Sequence, residues 1–457
     1  MENENNLFEK MSNWLKNSVM LKLLTITILM LLLLIPSAMI NEVITDRQIL
    51  QQEAIAEVSS KWAESQEING PILTIPLLYE YEKDEEMIES IVYHYVLPEK
   101  LNINGNIQPK ILNRGIYEVV VYDSDLKVNG TFNMDLSFDE NHLKEIQYEK
   151  AFLTIGFSDL RGIGNNINFK WGEESLKVES GSKITDLINS GITIYPKDIN
   201  RQKDKNIDFN FSVALQGSQD LTFIPVGGTT QVNLQSEWSS PSFKGNFLPK
   251  NREVNDAGFN AVWNVLELNR NYPQSWSGRS MKDKLDASAF GVNLLNEVDD
   301  YKKAQRSAKY SVMTIALTFL VFFLVEVINK KRIHPFQYIL VGLALCLFYI
   351  LLVSISEHSN FNLAYVISTF AIVGMISFYA LYIIKARKLI IILIMALIGI
   401  YGFVYVTLQL ADYSLLIGSL GLVIILGLTM YFTRKIDWYN LKSDSKEAVI
   451  EEGKGVV

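Results

Sequence analysis

Across 457 residues there is one cysteine, Cys346, so an intrachain disulfide is excluded and no cysteine-based metal site can form. Histidine is equally scarce: His94, His142, His334 and His358 stand alone, and no two of them have metal-ligand spacing. The chain has no phosphate loop, no H-E-x-x-H and no G-x-S-x-G. "DLRGIGNN" (159–166) contains Gly-x-Gly but lacks the third glycine of a dinucleotide loop, and the following "INFKW" reads as a strand. It is therefore expected to be a turn. No cofactor is indicated.

What the chain does have is apolar length. Apolar residues make up 49% and charged ones 20%, a balance that fits a membrane part joined to a large aqueous part. Six windows approach the roughly 20 apolar residues that a bilayer core requires. They lie at 23–40, 310–328, 336–356, 363–384, 389–410 and 413–432. The first is longer than a signal-peptide core and no clean small-x-small cleavage site follows it, so it reads as a retained anchor.

The distribution of Lys and Arg orients these spans. Lys10, Lys16 and Lys22 precede the first, and Lys330, Lys331 and Arg332 follow the second. Lys385, Arg387 and Lys388 follow the fourth, and Arg434 with Lys435 follows the last. The alternate turns "EHSNFN" and "ADYS" contain neither residue. Both termini are thus expected in the cytoplasm, with residues 1–22 and 433–457 as its two tails, a five-helix region at 310–432, and residues 41–306 outside.

That outer segment holds 27 Lys and Arg against 39 Asp and Glu, which argues against nucleic acid as a partner and against charge-driven binding to anionic headgroups. Residues 41–68 lack Gly and Pro until Gly70 and repeat apolar residues at near-helical spacing, which predicts a helical stalk. Residues 69–265 consist of short runs with strand character separated by turn residues, and "DFNFSVALQG" and "TTQVNLQSEW" alternate clearly. The expected fold is therefore a membrane α-helical bundle of six predicted spans plus a large β-rich, sandwich-like extracytoplasmic domain. Residues 266–306 are the return segment, and "SMKDKLDASAFGVNLLNEVDDYKKAQRSAKY" (280–310) reads as a charged, helical stretch that carries the chain back to the second span. "VNGT" at 128–131 is read as a hairpin turn as readily as a glycosylation sequon.

Several residues qualify as functional candidates. Ser356-Glu357-His358 closes the third span, where water returns; consecutive residues on a helix end diverge, so no Ser-His-acid triad can form there. Glu357 and His358 at the membrane edge can still bind a proton, take part in transport, or serve as a rim that fastens the spans to the outer domain. Glu326 is an acid inside a span, expected to pair with Lys330 one turn on. His334 precedes Pro335, which is expected to start the third span's helix. Ser414 and Gly418 have the spacing of a close helix contact. Trp238, Phe243, Phe247, Phe259 and Trp263 form either a partner-binding platform for a glycan, lipid or protein, or core.

The ordered series "GPILTIP", "DLRGIG", "PSFKGNFLPKNREVNDAGFNAVW", "YSVMTIALTFLVFFLVE", "HPFQYILVGLALCLFYILLVSISEH" and "DWY" resembles the CreD family of bacterial inner-membrane proteins. The resemblance runs from the first span to Tyr439. It implies a role in cell-envelope integrity and a link to a two-component system responding to envelope stress. It also draws attention to His334, Glu357 and His358, whose segments stand in the same places in the family. It supplies no catalytic residues. The expectation is a non-enzymatic envelope protein in contact with the lipid bilayer. Its alternatives are a transporter or channel subunit for a lipid or envelope component, and a sensor accessory to a histidine kinase.

Overall fold

Apolar runs become helices in a membrane because hydrocarbon offers no partner for a backbone N–H or C=O outside the segment. A computed structural model of the chain describes residues 19–83, 86–197, 199, 205–294, 300–329, 333–384, 386–410 and 413–434. Helix α1 (Val19–Leu32) and helix α2 (Leu34–Trp62) are divided by a turn at Leu33. Pro36 accounts for the division, since it has no N–H to give to the carbonyl four residues back. The chain forms two compact units, one of Met1–Leu50 with Asp299–Val457 and the other of Gln51–Val298.

The second unit is built from strands. It begins with four long ones, β1 (Gln66–Lys83), β2 (Glu86–Val96), β3 (Lys100–Arg114) and β4 (Tyr117–Asn133). Shorter strands follow: β5 (Leu143–Ile146), β6 (Phe152–Phe157), β7 (Phe169–Trp171), β8 (Glu174–Leu176), β9 (Val178–Ser180) and β10 (Gly191–Ile194). Then come β11 (Asn206–Ser218), β12 (Asp220–Phe223), β13 (Thr229–Ser236), β14 (Ser242–Gly245), β15 (Asn251–Asn255) and β16 (Gly258–Leu266). β17 (Ser275–Ser277), the single turn α3 (Lys282–Asp286) and β18 (Phe290–Asn293) complete the unit.

These strands make two sheets. One has ten strands along the path β14-β18-β12-β1-β6-β10-β9, with β2, β5 and β17 branching from it. The other has eight, ordered β15-β16-β13-β3-β4-β11-β7-β8. Alternate residues of each strand point to opposite faces, so one face of every strand can enter a core. In β11 and β13 burial alternates residue by residue, as the sequence pattern requires. Inward side chains of both sheets join one continuous core, with Tyr95, Leu126, Phe209, Val232 and Trp263 fully buried. This is a β-rich, two-sheet domain.

Three local expectations change. The stalk helix ends at Trp62 and β1 begins at Gln66, so the strand region starts before residue 69. The return segment is not a helix throughout: β18 lies between β14 and β12. Phe290 and Val292 are buried, while the intervening Gly291 sits where a Cβ would be 2.1 Å from the Leu221 carbonyl oxygen. That glycine and the charged flanks mask a two-residue period. "VNGT" is not a turn either, because Asn129 to Thr131 lie inside β4, paired on both sides by β3 and β11. At Gly130 a Cβ would meet the Lys100 carbonyl oxygen at 2.1 Å and the Phe209 ring, which explains glycine in a central strand.

The first unit continues with α4 (Asp300–Lys309), α5 (Ser311–Asn329), α6 (Pro335–Ser356), α7 (Phe361–Ile383), α8 (Arg387–Gln409) and α9 (Ser414–Thr433). Among the described residues six helical stretches, the α1–α2 run and α5 to α9, are long and apolar enough to cross a membrane. α6 packs on α7, α7 on α8, and α5 on α8. α9 touches α8 but buries none of its residues, and nothing in the structure lies within 4 Å of a Cβ placed at Gly418. Among the described residues, the Gly418 position therefore serves no close helix contact.

Candidate functional site

The C-terminal end of α6 places Glu357, singled out by the sequence, among residues of other helices. Glu357 is the C-cap of that helix, where the last carbonyls lack intrahelical partners. Its side chain is 9% exposed and its Oε1 lies 3.6 Å from Nε of Arg47 on α2. The hydroxyl of Tyr301 on α4 donates to the same oxygen at 3.1 Å. Beside this cluster the Lys303 ammonium stands 5.8 Å from the ring centre of Phe361, the first residue of α7. Four helices thus meet around one carboxylate and its neighbours.

Ser356 and His358 do not join Glu357. The buried Ser356 hydroxyl donates to the Val353 carbonyl at 2.9 Å. His358 is exposed, with Nδ1 3.2 Å from the Ser354 carbonyl oxygen. Successive residues on a helix are about 100° apart, so the three side chains leave in three directions. A carboxylate held by a guanidinium and a phenol fastens helix ends and can accept a proton; it does not activate a serine.

His334 caps the other end of α6. The backbone N–H of Phe336 donates to its Nδ1 at 3.2 Å, and its own N–H donates to Gln337 Oε1 at 2.9 Å. Pro335 is the first residue of the helix, as its fixed φ and missing N–H favour.

Glu326, near the C-terminal end of α5, is 6% exposed. Lys22 of α1 forms an ion pair with it, Ile333 N–H donates to Oε1 at 2.9 Å, and Tyr338 donates to Oε2 at 3.0 Å. The partner expected from the sequence, Lys330, lies outside the described residues. A charge inside a membrane is costly unless paired, and here both carboxylate oxygens are engaged.

The aromatic candidates of the strand unit pack inward. Trp263 is fully buried and donates through Nε1 to the Phe247 carbonyl at 3.2 Å. Phe243 meets Phe259 and Trp263 edge-on, at 5.8 and 5.6 Å between ring centres. Phe247 meets Phe290 edge-on at 6.0 Å, and Trp238 packs against the core while its Nε1 donates to Ser240 at 3.1 Å. Among the described residues no three His, Cys, Asp or Glu side chains gather in a metal-ligating group.

A family model described as inner membrane protein CreD matches residues 18–439. Inner membrane protein CreD of Escherichia coli (strain K12) is 32% identical over 430 residues, which cover 93% of this chain and 95% of that protein. The chain belongs to the CreD family.

Two arrangements in this CreD-family chain went unread in the sequence. The first lies in "DLRGIG". Arg161 clamps Asp159 through Nε and Nη2, at 2.9 and 2.8 Å, and its Nη1 donates to the Ser60 carbonyl in the last turn of α2. Asp159 also accepts from the backbone N–H of Glu64 at 2.9 Å, and the Arg161 hydrogen bond holds its carboxyl below the usual range. Gln66 bridges the Asp159 and Gln216 carbonyls at 2.9 and 3.0 Å. The motif is a fastening for a helix end, and an acid two residues before an arginine in a turn is the signal that could have shown it.

The second is a tyrosine cluster among the spans of the CreD bundle. Tyr349, Tyr365 and Tyr401 are buried around Phe348, whose ring centre is 4.7 Å from that of Tyr401. Tyr365 donates to the Tyr401 carbonyl at 2.8 Å. The residues come from α6, α7 and α8, with no shared sequence period, so only the packing brings them together.

Proposed function

We propose that this CreD-family protein maintains the cell envelope without catalysing a reaction, acting through a strand unit held outside the cytoplasm and anchored by the helical bundle. One observation carries the reading: Gln51–Val298 forms a two-sheet body with a single core, set between the first and second spans, while the candidate groups of the bundle are each held by other residues of the helices. The Ser356 hydroxyl, Glu357, Glu326 and His334 each have a partner that stabilises a helix or joins two of them. The family tie to envelope stress adds a link to a histidine kinase, to be tested by co-purification.

The orientation reading rests on the basic residues beside the spans. Cys346 is buried, so it gives little background to an impermeant thiol reagent. Glu174→Cys is expected to react in intact spheroplasts, and Lys388→Cys only after lysis. The reverse pattern overturns the orientation.

Envelope permeability tests the function. A deletion strain complemented with wild type, Glu357→Gln or His358→Ala at matched expression is compared for dye uptake and detergent survival. All three are expected to restore the barrier. If wild type restores it while the variants insert, fold and fail, proton coupling or transport replaces this reading. If wild type does not restore it, the envelope role itself falls.

A further inference from the structure

Asparagine is depleted in strands, because its short polar side chain competes for the backbone and packs poorly on a pleated surface. The outward face of the eight-stranded sheet breaks that rule repeatedly. Cross-strand registers align Asn264 of β16, Gln231 of β13, Asn102 of β3, Asn129 of β4 and Asn210 of β11 in one row. At about 4.8 Å per strand the row extends about 19 Å. Parallel to it, Asn233 pairs with Asn104, and farther on Asn260, Gln235 and Asn106 form a third line.

Charge is sparse in this field: Lys127 of β4 stands beside Asn104, and Lys170 of β7 closes the first row beside Asn210. On β13 the outward residues are Thr229, Gln231, Asn233 and Gln235; on β16 they are Asn260, Val262, Asn264 and Leu266. β3 contributes Asn102, Asn104 and Asn106 between Lys100 and Lys110. Acids stand at the flanks, with Glu253 beside Asn260, Asp125 beside Asn106 and Asp208 beside Thr131. Internal hydrogen bonding does not explain the choice: the row contains one amide pair, Asn102 donating to Asn129 at 3.2 Å, among the described contacts. A local rule broken many times in one place without a packing gain marks a functional surface.

We propose that this amide field binds a neutral glycan chain laid across the strands. The inference deepens the proposed envelope role and rests on the strand unit lying outside the cytoplasm. Each amide offers two donors and an acceptor, matching hydroxyl and acetamido groups that both give and take hydrogen bonds. A chain running along the row meets a fresh amide with every strand it crosses. The third line opens into a cavity of about 340 Å³, lined by Asn106, Gln235, Glu253, Asn255 and Asn260, which gives the flat field a concave end. The competing occupants fit less well. A polyanion needs an excess of Lys and Arg, whereas Lys100, Lys127 and Lys170 here are offset by Asp125, Asp208 and Glu253, and a protein interface draws its energy from aromatic and Arg anchors that are missing from the outward face of these amide rows.

The test uses the full chain in nanodiscs, titrated with chitohexaose as a neutral, acetamido-bearing glycan and with polygalacturonate as a polyanion. Chitohexaose is expected to bind saturably and polygalacturonate not to. The triple variant Asn102→Thr, Asn129→Thr, Gln231→Thr replaces amides with a residue that favours strands, so the fold is kept. It is expected to weaken chitohexaose about tenfold or more, as loss of several hydrogen bonds requires, with the circular dichroism spectrum unchanged. The single variant Asn129→Asp, nearly identical in shape, is expected to weaken it as well. Absence of saturable chitohexaose binding by the folded wild type, equal binding by the triple variant, or preference for the polyanion overturns the site. The barrier assay reads separately: wild type that restores the barrier without binding chitohexaose removes this inference alone, and wild type that binds it without restoring the barrier removes the envelope role alone.

Discussion

The hydroxyl of Tyr338 donates to Oε2 of Glu326 at 3.0 Å, on a carboxylate that Lys22 neutralises from another helix. The two partners differ in what their loss leaves behind. Tyr338→Phe removes one hydrogen bond to a charged group, worth about 1.5–3 kcal/mol. Lys22→Met strands a buried charge, which costs about 3–5 kcal/mol when a buried pair is broken. Thermal unfolding in detergent is expected to rank Lys22→Met below Tyr338→Phe, with Glu326→Gln in the Lys22→Met background recovering part of the loss. Equal midpoints for the two single variants would remove the ion pair from the account.

Glu357 presents the same question at the other end of α6. Arg47 is 45% exposed and its contact is 3.6 Å, so solvent weakens that pair to less than about 1 kcal/mol. The Tyr301 hydroxyl is closer, at 3.1 Å, and is expected to couple to Glu357 by about 1–2 kcal/mol. Double-mutant cycles with Glu357→Gln, one through Tyr301→Phe and one through Arg47→Ala, compare the two directly. A larger coupling through Arg47 would show that charge, rather than the phenol, holds the helix ends together.

Much of the architecture was legible for simple reasons. A helix in hydrocarbon needs a long apolar run, and each of the six spans carries one. β11 and β13 were legible because one face is core and the other is not. β18 was hidden, since its small middle residue, Gly291, erases the alternation it belongs to. Asn129-Gly130 misled because Asn-Gly is a strong turn signal; here the glycine answers a close backbone approach and the asparagine belongs to the outward amide field. The contacts of Glu326 and Glu357 were beyond reach. Lys22, Arg47 and Tyr301 are distant in sequence from their partners, and no local pattern records which helices meet.

His94 offers a pH test in the strand unit. Its Nδ1 is 2.8 Å from Ser277 Oγ, its ring lies 4.9 Å from Phe138, and its buried Nε2 has no hydrogen-bond partner among the described residues. Burial lowers its pKa to about 4, so the folded protein keeps it neutral while the unfolded chain takes up a proton near the ordinary value of 6.5. The unfolded state then binds more protons between those values, and stability falls as pH falls from about 6.5 towards 4. The loss attributable to this residue is on the order of 3 kcal/mol. Denaturant unfolding of wild type and His94→Asn across that range is expected to show the steeper decline in wild type. Parallel curves would mean that His94 titrates normally.

The closest packing in "DLRGIG" is at Gly162, where a Cβ would lie 2.3 Å from the Gln216 carbonyl oxygen and 2.4 Å from Nε2 of Gln66. The carbonyl belongs to a paired strand and cannot yield without disturbing β11; the amide is the bridge between Asp159 and Gln216. Gly162→Ala must therefore displace backbone or break the bridge, and overpacking of this kind costs about 1–3 kcal/mol. Gly172 is the control, because it lies in the same unit and no described residue is within 4 Å of its Cβ position, although its positive φ adds a backbone cost of its own. Gln66→Ala separates the two effects at Gly162. If loss of the bridge is the whole cost, Gly162→Ala in the Gln66→Ala background adds almost nothing. If the Gln216 carbonyl is the obstacle, the two losses add. The contact at 2.3 Å is with backbone, which cannot rotate away, so additive losses are the expected result in thermal unfolding.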